Sequence, residues 1–232
     1  MELPQESRVR WKSYHRIISS RFPPVFFFER VAPPEDWDDL AEIEAITNPR
    51  VRQDIGEISL VPVEKRVSGP GASYCMAPFV HISQERPSRF SNGAMYGVFY
   101  ASQDFESALM EVAHHRAVHF AATDDEPLTT QERVLVGKID SKLHDIRDKK
   151  WAKYHDPDGY SESQAFAQKL RDKGSEGIVY NSVRNPGGQN FAAFWPNVMD
   201  IPIQASHISY HWDGNRIDKY FDLTKDDGWI EI

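Results

Sequence analysis

The stretch Arg89-Phe-Ser-Asn-Gly-Ala-Met-Tyr-Gly-Val-Phe-Tyr-Ala-Ser-Gln-Asp-Phe-Glu-Ser-Ala-Leu-Met-Glu111 predicts a loop, a strand and a helix in direct succession. Tyr96 to Ala101 alternates in the manner of a half-buried strand. Ser102 suits the N-cap of the helix that follows. Apolar side chains then recur at helical spacing, at Phe105, Ala108, Leu109 and Val112. Three polar side chains remain: Arg89 before the strand, Tyr100 at its end and Glu111 on the helix.

The composition is that of an ordinary globular protein. The chain has 232 residues, of which 40% are hydrophobic and 27% charged, and this suits one large domain. A formal net charge of -8 argues against nucleic acid as a direct partner. The single cysteine, Cys75, cannot form a disulfide within the chain and fits a reducing compartment. Because no signal peptide or membrane-spanning run is visible, we expect a cytoplasmic protein without membrane contact.

Upstream of the opening stretch, the sequence predicts helices and strands in alternation. Trp11 to Ser20 indicates a short helix, and Val25 to Val31 a buried strand. Asp36 to Thr47 predicts a helix that ends before Asn48-Pro49. Ile58 to Val63 is a candidate strand.

Downstream, hairpins predominate. A strand is predicted at Arg133 to Ile139, a surface loop at residues 145–158, and a helix at Ser161 to Asp172 with Gly174 as its stop. Two hairpins complete the chain, formed by Gly177 to Arg184 with Asn190 to Trp195, and by Ile208 to Trp212 with Arg216 to Phe221. Hairpins mixed with a few helices indicate the α+β class.

The three remaining polar residues each have an ordinary structural explanation when taken alone. Glu111 can be a solvated helix glutamate, Tyr100 a core tyrosine with its hydroxyl at the rim, and Arg89 a surface or loop arginine. Together they suit an anionic substrate that contains a sugar. An arginine can grip phosphate, a tyrosine can stack on an aromatic ring, and a carboxylate can stabilise positive charge at an anomeric carbon. This set fits cleavage of the glycosidic bond of a nucleotide such as NAD, whose nicotinamide leaves as a neutral group.

The sequence predicts no metal site. Glu111 and His114 form a Glu-x-x-His pair, but a di-iron bundle requires a second such pair. His115 and His119 are one helical turn apart, yet Arg116 stands where a zinc protease has glutamate.

The chain resembles the RES-domain toxins, a family named for an arginine, a glutamate and a serine. The segments that carry the resemblance are Ser88 to Gly93, Tyr96 to Ala101, Ala108 to His115, and Gly177 to Arg184 followed by Asn190 to Phe194. The resemblance covers roughly residues 25–200, which would form the RES domain. Residues 1–24 would then be an N-terminal extension, and residues 201–232 a C-terminal hairpin extension packed on the same domain.

This resemblance implies a fold, an activity and a partner. The fold would be ADP-ribosyltransferase-like, of class α+β, with mixed small β-sheets and flanking helices. The activity would be that of an NAD-consuming bacterial toxin that cleaves the nicotinamide–ribose bond as a glycohydrolase or phosphorylase, with NAD as a substrate and no permanently bound cofactor. An Xre-type antitoxin would block the cleft, and a homodimer is plausible on the same ground. A protein ADP-ribosyltransferase, or a non-catalytic binding module of the same fold, are the alternatives.

The resemblance also implies roles for single residues. Arg89 would hold phosphate or ribose, Tyr100 would stack near the nicotinamide, and Glu111 would stabilise the cation-like transition state. Many family members have Arg-Trp-Asn where this chain has Arg89-Phe90-Ser91, so the pocket wall is expected to differ. The substrate-binding candidates are Ser182 near the ribose, Arg30 as a second phosphate contact, and His115.

Overall fold

A closed ring of five strands forms the centre of the molecule. The computed structural model describes residues 3–21, 25, 27–48, 50–85, 87–123, 125–225 and 227–232. Its strands are β1 (Glu6–Ser19), β2 (Phe99–Ser102), β4 (Glu132–Asp145), β5 (Gly177–Asn181) and β6 (Gln189–Ala193). The ring has the order β1-β2-β6-β5-β4 and closes where β4 pairs with β1.

The same sheet continues from β4 on its other side, and helices flank it. The added strands are β7 (Ile203–Trp212), β8 (Ile217–Asp222) and β9 (Trp229–Glu231), with β3 (Leu128–Thr129) paired to β7. The helices are α1 (Trp37–Thr47), α2 (Val51–Ile55), α3 (Ala72–Val80), α4 (Phe105–Thr123) and α5 (Ser161–Asp172). The α+β class predicted from the sequence is therefore confirmed. Within the described residues, none of the helices combines the length and the apolarity that a membrane span requires.

The helix predicted for Trp11 to Ser20 is wrong, because these residues belong to β1. This strand pairs with β4 from Glu6 opposite His144 to Ser19 opposite Glu132. The register shifts between Trp11 and Tyr14, which marks a bulge. The bulge lengthens the step from Trp11 to Tyr14 to three residues, and Ile17 is buried on the opposite face, in a different core cluster. The buried residues Val9, Trp11, Tyr14 and Ile17 therefore imitate the spacing of a helix. Residues 6–19, which the sequence analysis set apart as an extension, thus supply one strand of the ring.

The buried strand predicted for Val25 to Val31 is also wrong where the chain is described. Phe28–Arg30 forms a 3-10 turn, and Val31 is 77% exposed. Phe26 lies outside the described residues. Phe27 is buried because its ring stacks on Trp37 of α1, with 5.6 Å between the ring centroids. The apolar run therefore anchors α1 rather than pairing with other strands.

Two further predictions between the main elements fail for local reasons. The candidate strand at Ile58 to Val63 is a pair of 3-10 turns, Ile58–Leu60 and Val63–Lys65, separated by Pro62, which cannot donate to a strand ladder. The surface loop predicted at residues 145–158 contains the 3-10 helix Lys149–His155, whose Trp151 and Tyr154 are buried. The surrounding charged residues conceal this aromatic pair in the sequence pattern.

The elements nearest the opening stretch agree with the sequence in type and differ at their ends. The strand begins at Phe99 rather than Tyr96, and α4 begins at Phe105. Asp104, not Ser102, caps α4, because its carboxylate accepts a hydrogen bond from the backbone N–H of Ser107 at 2.7 Å. The helix at Ser161–Asp172 is confirmed, and so are the two hairpins formed by β5 with β6 and by β7 with β8.

The ring separates core side chains from those of a cleft. On one face of β2, β6 and β5, buried side chains pack with Tyr14 of β1 at ring distances of 5.8 Å to Phe99 and 5.4 Å to Phe191. Because neighbouring residues on a strand point to opposite faces, Tyr100, Asn190 and Tyr180 lie on the other face. That second face carries the candidate site.

Candidate active site

A cavity of about 320 Å³ lies between α4 and the ring, at the lower end of the range for small-molecule sites. The wall formed by α4 consists of Ala108, Glu111, Val112 and His115. These residues are spaced i, i+3, i+4 and i+7, so they form one stripe on the helix. Opposite them lie residues of β1, β2, β5 and β6, together with Arg89 from the preceding loop. The cavity therefore collects side chains that are far apart in the sequence.

Glu111 is held in place by two hydrogen bonds to one of its oxygens. The hydroxyl of Ser182 donates to Oε1 at 2.8 Å, and the side-chain amide of Asn190 donates to the same atom at 2.9 Å. Asn190 is 2% exposed, so this donor is fixed by packing. The other oxygen, Oε2, has no hydrogen-bond partner within the described residues. The carboxylate is thus oriented by the protein and keeps one oxygen for a ligand.

Tyr100 has a structural role in the site and is not a proton donor. Its hydroxyl accepts from the backbone N–H of Phe90 at 2.9 Å and lies 2.9 Å from Oγ of Ser88. One face of the ring is covered by Phe90, with the centroids 6.3 Å apart. Burial raises the pKa of Tyr100 well above its ordinary value. The side chain therefore fixes the loop that carries Arg89, and it is a poor acid.

Tyr100→Phe should destabilise the protein by about 1–3 kcal/mol, because the buried N–H of Phe90 loses its acceptor. Urea unfolding measures this loss. A matched control is Tyr160→Phe, since Tyr160 also lines the cavity but its hydroxyl has no hydrogen-bond partner within the described residues. Equal stabilities of the two variants would contradict the assigned role.

Three guanidinium groups make the cavity cationic. Arg16 donates to the carbonyl of Tyr100 at 2.7 Å, Arg89 to that of Asp156 at 2.6 Å, and Arg184 to that of Pro157 at 2.7 Å. Across the described part of the chain, none of the three forms an ion pair, and Glu111 is the single carboxylate in the wall. This excess of positive charge favours a ligand with more than one negative charge.

His115 lies beside Glu111 and is held neutral. Burial lowers its pKa, the charges of Arg184 and Arg89 lower it further, and Glu111 partly opposes them. Burial likewise lowers the pKa of His15, which also lines the cavity. Near neutral pH, His115 can therefore accept a hydrogen bond or a proton but is not a strong acid.

These histidines make the folded state sensitive to acid. The unfolded chain takes up protons below its ordinary histidine pKa of about 6.5, whereas the buried histidines resist protonation, so stability falls as the pH drops from about 6.5. The free energy of unfolding, measured with urea, should be lower at pH 5.5 than at pH 7.5, by at most about 1.4 kcal/mol for each buried histidine. His115→Gln should make the decrease smaller. A midpoint that rises on acidification would contradict this prediction.

The structure brings together most, but not all, of the residues selected from the sequence. Arg89, Tyr100, Glu111 and His115 line one cavity. Ser182 contacts Glu111 rather than the cavity wall. Arg30 lies in the 3-10 turn after β1 and is exposed; it lines neither this cavity nor the neighbouring one described below.

Sequence reasoning missed three members of the site. Arg16 was hidden because β1 was predicted as a helix. Asn190 and Arg184 stood within the motif segments, yet they were not selected, because only the paired strands show that Asn190 faces Glu111. Within the residues that can be described, no group of three or more His, Cys, Asp or Glu could hold a metal ion.

The chain is similar to known proteins in both sequence and structure. A family model described as "RES domain" matches residues 63–213. An uncharacterized protein, y4oC, of Sinorhizobium fredii is 26% identical over 204 residues, which cover 88% of this chain and 84% of that protein. A chain in the crystal structure of the M. tuberculosis MbcT-MbcA toxin-antitoxin complex aligns with a TM-score of 0.46 and 8% identity, over 87% of each chain.

Proposed function

We propose that this chain, which belongs to the RES-domain family, cleaves the bond between nicotinamide and ribose in NAD and so consumes it. The observation that carries the proposal is the oriented Glu111 carboxylate in a cavity that also contains three guanidinium groups, none of which forms an ion pair with a described residue. NAD has the matching charge pattern: its pyrophosphate is anionic, and positive charge develops on the ribose as nicotinamide departs.

The reaction requires stabilisation of a cation more than proton transfer. As the glycosidic bond breaks, its electron pair stays with the nicotinamide nitrogen, and the ribose becomes oxocarbenium-like. Oε2 of Glu111 would face this charge, while Ser182 and Asn190 hold Oε1. No general acid is needed, because nicotinamide leaves as a neutral molecule. That requirement agrees with a neutral His115.

The anionic and aromatic parts of the substrate would meet the remaining groups. Arg89 and Arg184 can hold phosphate or ribose oxygens through donors that their carbonyl contacts leave available. Tyr100 keeps this loop in place and would stack near the nicotinamide. Ser182 would act near the ribose by positioning Glu111. His115 would contact the substrate as a neutral group.

Release of nicotinamide from NAD by the purified protein tests the proposal. We expect stoichiometric nicotinamide together with a product that contains ADP-ribose. If NAD binds to the folded protein but is not cleaved, even in the presence of phosphate or cell lysate, the chain would be a non-catalytic binding module. If labelled ADP-ribose accumulated on protein in the lysate, the chain would be a protein ADP-ribosyltransferase.

We further propose that the chain is the toxin of a toxin–antitoxin pair with an Xre-type antitoxin as its partner. The support is family membership, since the RES-domain model matches residues 63–213; we propose that the domain itself spans residues 25–200. Expression in a bacterium should stop growth and deplete NAD, and co-expression of a helix-turn-helix protein encoded beside it should restore growth. Size measurements on the purified chain test the homodimer.

A further inference from the structure

A second cavity, of about 900 Å³, lies beside the first and shares one residue with it, Arg16. Its walls come from the last residues of β1, from Phe27, from α2 with the turn that follows it, and from α3 with the segment up to Ser83. Gly56 allows this wall to close: its φ is +73°, and a Cβ at this position would lie 2.5 Å from the carbonyl oxygen of Val80. The second cavity is therefore closed on this side by tight packing of the turn after α2 against the end of α3.

Arg16 stands at the junction of the two cavities. Its guanidinium lies 4.5 Å from the centre of the Phe99 ring and donates one hydrogen bond to the carbonyl of Tyr100. A guanidinium has five N–H donors, and no carboxylate pairs with this one within the described residues. Burial lowers its pKa to about 10, so it remains charged at neutral pH. An arginine that is desolvated in this way, without an acidic partner, favours an anionic ligand group.

The lining of the second cavity suits a nucleoside. Tyr74 and Phe27 line this cavity, and aromatic side chains can stack on a base. One face of Phe27 is already stacked on Trp37, so Tyr74 is the principal candidate. Gln53 and Asp54 of α2 supply an amide and a carboxylate, of the kind that hydrogen-bonds ribose hydroxyls in dinucleotide sites. His81, whose pKa is lowered by burial, adds a neutral polar group. The cation Arg16 lies where the two cavities meet, whereas two carboxylate residues, Asp54 and Glu57, line other walls. The lining therefore suits a ligand that is anionic only at the end near Arg16.

We infer that the second cavity binds the adenosine half of the dinucleotide, with the pyrophosphate crossing between the cavities at Arg16. This inference rests on the proposed function, because it takes NAD as the substrate. The first cavity would then hold the nicotinamide ribose and its phosphate, beside Arg89 and Arg184, but not the adenosine, which agrees with its small volume. AMP carries the same chemistry as the adenylate half and serves as the probe.

Calorimetric titration with AMP tests the site without any need for catalysis. We expect one AMP per chain, binding at least tenfold more weakly to Ala77→Trp, which fills the cavity from α3, and to Tyr74→Ala, which removes an aromatic face without crowding the helix. Ala122→Trp, on the exposed end of α4, is the control for an added tryptophan and should bind as wild type does. Failure of AMP to bind the wild type, or equal binding by both cavity variants, would overturn the inference.

Two comparisons separate this inference from the proposed function. Nicotinamide mononucleotide lacks the adenylate half, so Ala77→Trp should raise KM for NAD at least tenfold and leave cleavage of the mononucleotide unchanged. AMP should compete with NAD, whereas AMP that binds without competing would overturn the inference. If the wild type cleaves neither substrate but binds AMP in a manner sensitive to Ala77→Trp and displaced by NAD, the proposed reaction fails and the adenylate site stands.

Discussion

Glu111→Gln should reduce nicotinamide release from NAD by about 10²–10³-fold, the usual effect of removing one preorganised electrostatic group. The amide has the shape of the carboxylate, and its oxygen can still accept from Ser182 and Asn190. The side chain therefore keeps its position and loses only the negative charge that would face the developing cation. We expect kcat to carry the loss, with the KM for NAD little changed, because the charge acts mainly in the transition state.

Glu106→Gln is the matched control, since Glu106 lies on the first turn of the same helix, is exposed and does not line the cavity. It should retain full activity. Thermal unfolding of both variants shows whether the helix is intact. A Glu111→Gln enzyme with wild-type kcat would remove this carboxylate from the mechanism.

The sequence predicts the local parts of this protein well because local rules govern them. The helix α5 is amphipathic and ends at Gly174, whose φ of +82° suits the stop predicted there. Arg89, Tyr100 and Glu111 lie in one loop-strand-helix unit, so their convergence on one cavity could be predicted without knowledge of the remaining chain. Glycine turns and helix stripes need no partner from elsewhere in the sequence.

What the sequence does not predict depends on contacts between distant segments. β1 becomes a strand because β4, more than 100 residues later, pairs with it, and its bulge conceals the two-residue period. The loss of this strand from the prediction also concealed Arg16. The opposite error occurs at Val25 to Val31, where hydrophobicity suggested a strand but Phe27 packs against Trp37. In both cases, tertiary contacts override a local pattern.

A substitution at Asn190 should also have a large effect on activity, because the pairing of β5 with β6 places this residue beside Glu111. Asn190→Asp would place a second carboxylate within hydrogen-bond distance of Glu111, at a residue that is 2% exposed. Two carboxylates at this separation, one buried and one half-buried, cannot both ionise without a large cost, so the pair should retain one proton and show a raised pKa. The retained proton neutralises the charge that Glu111 would supply, and nicotinamide release should fall by about 10²-fold or more.

The same proton should reverse the pH dependence of this variant's stability relative to wild type. A carboxyl pKa that is raised in the folded state means that the folded protein binds more protons than the unfolded chain, so stability is present at acid pH and is lost as the pH rises. On going from pH 5 to pH 8, the variant should therefore lose about 1.4 kcal/mol of stability relative to wild type for each unit by which the folded-state pKa lies above 5. Wild type should instead gain stability over this interval, since its histidine pKa values are lowered.

Asn181→Asp is the control for this effect, because Asn181 is exposed on β5 and its amide donates to the carbonyl of Arg147 rather than to a carboxylate. Its stability should follow the wild-type pH profile. Urea unfolding at several pH values measures all three proteins. If Asn190→Asp follows the wild-type profile as well, its carboxylate does not share a proton with Glu111. The hydrogen bond from Asn190 would then not be the contact that orients the catalytic group.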